Sequence, residues 1–154
     1  MKIGLIVYSK TGNTYEVSQK LEKNLSEAGH SVNIERIEID DENQRDLSKI
    51  RVKSPPGISK YEAIIFGAPV NAFSLCPEMT VYMSQLPTLK GKKIACFVTK
   101  GLPLAGTGGN QAISKMKNLC ESKGGSVSGT GIVIWNKDRD KQITNMADEF
   151  NKLF

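Results

Sequence analysis

The sequence is poor in the residues that usually build catalytic centres. Histidine occurs once, at His30, and tryptophan once, at Trp135. The three cysteines, Cys76, Cys96 and Cys120, are odd in number, widely spaced and without a C-x-x-C pair. A disulfide framework or a zinc site is not expected from them, and they suit a reducing, cytoplasmic setting. No apolar run approaches the roughly 20 residues needed to cross a bilayer, so membrane insertion is not expected. The apolar block at residues 3–7 has no small-residue cleavage pattern behind it and reads as a buried strand, not a signal peptide. No G-x-x-x-x-G-K-S/T occurs, so the lysine of a triphosphate-hydrolysing loop is missing. Gly106-Thr107-Gly108-Gly109-Asn110-Gln111 begins like a dinucleotide fingerprint but carries Gln111 where glycine or alanine belongs.

What is present suits one globular domain spanning residues 1–154. Apolar residues make up 39% and charged residues 24%, which excludes a disordered or membrane-spanning chain. The 21 lysines and arginines exceed the 16 acids, for a net charge of +5. They are dispersed, with no stripe and no interleaved aromatics, so nucleic-acid binding is not expected. An acidic protein partner stays open.

Hydrophobic period orders the chain as alternating strands and helices. Residues 2–8 form a near-continuous apolar strand, as when both faces of a sheet are covered. From Asn13 the period lengthens, with Val17, Leu21, Leu25 and Ala28 on one helical face and Gly29 ending it. Residues 31–37 read as a less buried edge strand. Residues 39–60 read as a surface crossover with a short helix around 46–52. Residues 61–67 return to a buried strand, and Pro77 opens a helix to about Leu86. A strand at 93–99, a helix at 110–123, a strand at 127–135 and a last helix complete the order, with Asp138 as expected N-cap. Such alternation predicts an α/β fold: a parallel sheet between two helical layers.

The run Tyr8-Ser9-Lys10-Thr11-Gly12-Asn13-Thr14 lies where the first strand turns into the first helix. Helix N-termini present unpaired N–H groups and partial positive charge, and a phosphate is their natural occupant. In open parallel sheets ligands bind beyond the carboxyl ends of the strands, where strand order reverses. Two further segments therefore matter: residues 68–74 and residues 100–109. The second offers Phe73 as an apolar plate. The third offers four glycines, which let backbone approach a flat ligand. A phosphate at one corner and a planar ring between two loops fit a mononucleotide shaped like flavin mononucleotide (FMN).

Ser9-Lys10-Thr11-Gly12-Asn13-Thr14 resembles the S-x-T-G-N-T phosphate loop of flavodoxins, and the likeness extends along essentially the whole chain. The resemblance implies a flavodoxin-like three-layer α/β/α sandwich whose five-stranded parallel sheet has the order 2-1-3-4-5. It implies that the hydroxyls of Ser9, Thr11 and Thr14 and the N–H groups of Thr11, Gly12, Asn13 and Thr14 hold the FMN phosphate, with Lys10 among the cofactor-binding residues. Pro69, Val70, Asn71, Ala72 and Phe73 on one side, and Thr99, Lys100, Gly101, Gly108 and Gly109 on the other, would flank the ring. It implies electron transfer to a redox partner protein or small-molecule acceptor, as a monomer or dimer. An FMN-dependent oxidoreductase using NAD(P)H, or a flavin-free binding module, are the alternatives. The chain departs from the family in three respects. Its third loop has no aromatic residue, its second loop has no glycine, leaving Asn71 to take a left-handed conformation, and its charge is basic.

Each residue also has a plain structural reading. Ser9, Thr11 and Asn13 are favoured helix caps in any case. Phe73 is either a ring contact or a core aromatic. Trp135 and Cys76 read as packing residues, and His30 sits on the sheet edge remote from the ligand.

Overall fold

A computed structural model describes residues 1–101 and 108–154. The first strand, β1 (Lys2–Val7), leads into α1 (Asn13–Glu27), and β2 (Ser31–Arg36) follows. Two short strands, β3 (Glu38–Ile39) and β4 (Val52–Lys53), pair antiparallel as a small separate ribbon. Then come β5 (Ala63–Asn71), β6 (Ser74–Leu75) and α2 (Pro77–Ser84). The chain continues through β7 (Lys93–Lys100), α3 (Gly109–Ser122), β8 (Val127–Ile134) and α4 (Arg139–Leu153). The five long strands run parallel in the order β2-β1-β5-β7-β8, which is 2-1-3-4-5 when only they are counted.

Two apolar cores explain why the central strands read as continuous hydrophobic runs. Alternate residues of β1, β5 and β7 point to opposite faces. Ile6, Ile64, Phe66, Ile94 and Cys96 pack with Met79 and Met83 of α2 and Met116 and Cys120 of α3. Ile3, Leu5, Ala63, Ile65 and Phe97 pack with Val17 and Leu21 of α1 and Met146 and Phe150 of α4. The edge strand β2 is half-exposed, as its alternation suggests.

Three local expectations need correction. The segment expected to be helical at 46–52 holds only a 3-10 turn at Leu47–Lys49, capped by Asp46, whose Oδ1 accepts from Ser48 N at 3.0 Å. Ile50 and Val52 instead pack with Ile39 and Val81 as a third small cluster, so tertiary contacts decide that stretch. The strand expected to stop at Gly67 runs on to Asn71. Pro69 is tolerated there because β1 pairs with β5 only as far as Gly67, beyond which one edge of β5 needs no ladder N–H. Asp138 does precede α4, but its side chain makes no capping bond, since its backbone is not extended.

Candidate functional site

The turn from β1 into α1 is closed by Gly12, whose φ of 99° is left-handed and suits glycine. Glu16 N donates to Gly12 O at 2.9 Å, so the N–H groups of residues 12–14 lie ahead of the intrahelical ladder. The Ser9 hydroxyl accepts from Tyr15 N at 3.1 Å and so does cap the helix, while its own proton stays available to a ligand. Arg36 stacks over the Tyr15 ring at 4.3 Å and braces the loop from below.

Thr14 is 1% exposed, and its Oγ1 lies 2.8 Å from Thr99 Oγ1. This contact ties the first turn of α1 to the end of β7, two places that are 85 residues apart. A hydroxyl has one proton and two acceptor sites, so with Thr99 as donor the Thr14 proton is left for an anion.

Beside this loop is a cleft of about 180 Å³. Lys10, Thr11 and Thr14 line it from the loop, and Pro69, Val70 and Asn71 from the end of β5. Pockets for drug-sized ligands are roughly 300–1,000 Å³, so this cleft is small by comparison. Tyr8, Arg45, Cys76 and Glu78 also line it, and none of them stood among the sequence-level site residues. Tyr8 belongs to the loop motif itself. Arg45 comes from the crossover, where nothing in the local pattern marks it. Glu78 looks from sequence like an ordinary acid favoured in the first turn of α2.

The crossover is tied to the cleft wall through Glu42. The Tyr8 hydroxyl donates to Glu42 Oε2 at 2.5 Å, while Lys10 Nζ and Arg45 Nη1 each donate to Glu42 O at 3.3 Å. Burial, followed by the bond to Glu42, pushes the Tyr8 hydroxyl far above the usual phenol range. Burial likewise pushes the Cys76 thiol up to about 12. Cys76 is therefore a protonated, unreactive wall residue, as its structural reading expects.

The second loop is a tight hairpin. Asn71 pairs with Ser74, leaving Ala72 and Phe73 as the two turn residues, with φ of 49° and 64°. The left-handed conformation expected of Asn71 thus falls on the next two residues, because the extended β5 keeps Asn71 in register. Neither is a residue that favours it. Phe73 is 61% exposed, which rules out the core reading of its ring.

The third loop is described only at its two ends, and most of its glycine-rich sequence, residues 102–107, lies outside the described residues. Thr99 is buried at the end of β7, Lys100 is half-buried and Gly101 is exposed. Gly108 takes a left-handed φ of 101° at the start of α3, and a Cβ there would stand 2.4 Å from the Phe73 backbone. Gly109 packs against Ile132. The three segments do converge at the carboxyl ends of the strands. Of the expected site residues, Lys10, Thr11, Thr14, Pro69, Val70 and Asn71 line the cleft itself.

Trp135 packs at the edge of the α1/α4 core, with the Arg139 guanidinium 4.7 Å from its ring. His30 Nε2 lies 3.0 Å from Asn151 Oδ1, remote from the cleft. Among the described residues no helix is long and apolar enough to cross a membrane, and no His, Cys, Asp and Glu cluster could hold a metal ion.

No protein-family model and no curated protein sequence matches the chain. Solved structures do. Flavodoxin 2 of Bacillus cereus superposes with a TM-score of 0.74 at 19% identity, covering 100% of each chain. A Lactobacillus acidophilus flavoprotein in complex with FMN gives 0.68 at 16% identity, covering 95% of this chain and 98% of that one. A flavodoxin from the domain Archaea gives 0.66 at 14%, covering 99% and 97%. With its strand order, its helices on both faces and these full-length superpositions, the chain has the flavodoxin-like fold.

Proposed function

We propose that this protein binds FMN at the end of β1 and carries electrons one at a time to a redox partner protein or small-molecule acceptor. The observation that supports this best is the set of donors at residues 9–14, gathered at a helix N-terminus beside the cleft. The residues fit the group. The Ser9 and Thr11 hydroxyls and the N–H groups of residues 11–14 would hold the phosphate, with Lys10 adding positive charge nearby. The Thr99 hydroxyl would donate to Thr14 and so turn the Thr14 proton toward the phosphate. Pro69, Val70 and Asn71 would shape the inner wall, and the strained Ala72-Phe73 turn would stand at the rim. FMN, when bound, supplies the electron-transfer chemistry; the chain supplies binding, orientation and the local field.

The test begins with the visible spectrum of the purified protein and calorimetry with FMN. A yellow protein, or tight binding that Thr11→Val weakens at least tenfold, is the expected result. Absence of heat, together with indifference to Thr11→Val, refutes the assignment. Rapid bleaching on mixing with NADPH would replace the carrier by an FMN-dependent reductase.

A further inference from the structure

Glu78 is the second residue of α2 and only 2% exposed, yet it lines the cleft. Its carboxylate has no hydrogen-bond or ion-pair partner among the described residues. Its oxygens are not among the described buried polar atoms without a partner, so the carboxylate meets the open space of the cleft, where solvent or a ligand supplies its hydrogen bonds. The positive end of the α2 dipole favours a carboxylate at this place. Its charge is felt by both walls beside it. Glu78 contributes, after burial and the Glu42 bond, to raising the Tyr8 hydroxyl and, after burial, to raising the Cys76 thiol, so neither neighbour neutralises it. The cations of the cleft, Lys10 and Arg45, are directed to the Glu42 carbonyl instead.

The same cleft is therefore chemically two-sided. Thr11 and Thr14 bring an anion-binding helix start to it, and Glu78 brings a pure acceptor. A plain phosphate satisfies the first and not the second. We propose that Glu78 is a ligand-binding residue whose carboxylate accepts a hydrogen bond from a donor on the molecule whose phosphate the 9–14 loop holds. This rests on the flavin reading above, under which the donor is either the ring imide N–H or a hydroxyl of the ribityl chain. The carboxylate selects against phosphate esters that bring no donor into the cleft.

The test uses the protein stripped of ligand, as wild type and Glu78→Met, which fills similar space and offers no comparable acceptor. Calorimetry compares FMN, its N3-methyl analogue and an analogue with a hydroxyl-free phosphopentyl chain. Glu78→Met should weaken FMN binding roughly tenfold or more, the usual loss for a hydrogen bond to a charged group. One analogue should show the same loss on wild type and no further loss on the variant, which identifies the donor. The ligand-free variant should melt no lower than wild type, since the carboxylate has no partner within the protein; loss of a residue of merely structural worth would lower it. Wild type that binds FMN while the variant binds within twofold overturns this inference alone. A lower melting temperature of the ligand-free variant also overturns it. Wild type that gives no heat with FMN overturns the flavin reading and this inference with it.

Discussion

Gly12 and Gly108 open α1 and α3 with nearly the same backbone, φ of 99° and 101°, but in different surroundings. A Cβ at Gly12 would meet nothing within 4 Å, whereas one at Gly108 would sit 2.4 Å from the Cα and carbonyl carbon of Phe73. Alanine substitution at the pair therefore separates conformational cost from contact cost. At both positions the left-handed region costs an L-residue about 1–2 kcal/mol. The lower entropy of the unfolded alanine chain returns roughly 0.4–1 kcal/mol of it. Gly12→Ala should thus destabilise by about 1 kcal/mol. Gly108→Ala adds a clash with backbone, which cannot rotate away, and overpacking of that kind costs about 1–3 kcal/mol. Its total of about 2–4 kcal/mol lowers the melting temperature by roughly 5–15 °C for a chain of this length. Urea unfolding of ligand-free protein measures both variants. Equal losses at the two positions would refute the close approach of the Phe73 hairpin to the start of α3.

Other outcomes follow from single contacts. Thr14→Val strands the buried Thr99 hydroxyl and should cost about 1–3 kcal/mol, while Thr14→Val with Thr99→Val should cost less than the sum of the single variants. Additive losses in that cycle would mean the two hydroxyls do not interact. Replacing the turn by Ala72→Asn with Phe73→Gly puts residues suited to left-handed backbone where φ is 49° and 64°. The melting temperature should rise by a few degrees, and a fall would show that the turn is unstrained. Burial raises Cys76 from 9.0 to about 12, and burial with the Glu35 bond raises Tyr61 from 10.0 to about 12. Above pH 9 the unfolded chain releases protons that the folded chain keeps, so stability is full below pH 9 and declines between pH 9 and 12. Cys76→Ala should flatten the first part of that decline in urea midpoints, and an unchanged slope would count against a buried thiol.

The fold was legible in the sequence wherever one pattern had one physical solution. Buried runs such as Ala63-Ile64-Ile65-Phe66 suit a strand covered on both faces, and Leu21 and Leu25 repeat at the helical period. The strand-to-helix turn at residues 8–14 was legible because its signal is contiguous: Gly12 takes the left-handed backbone at the start of α1. The crossover was not, since residues 46–52 take their conformation from Ile39 and Val81 across space.

The sequence by itself determined the alternation of strands and helices and the glycine-opened start of α1. Only the tertiary structure decided what else stands at that place. Arg45 reaches the cleft from the crossover, Glu42 bonds to Tyr8 in its wall, Thr99 meets Thr14 from 85 residues away, and Glu78 joins the lining from α2. The physical reason is the range of the forces involved. Periodicity and capping act within a few residues of one another, whereas the burial of a charge and the pairing of two hydroxyls exist only once distant strands lie side by side.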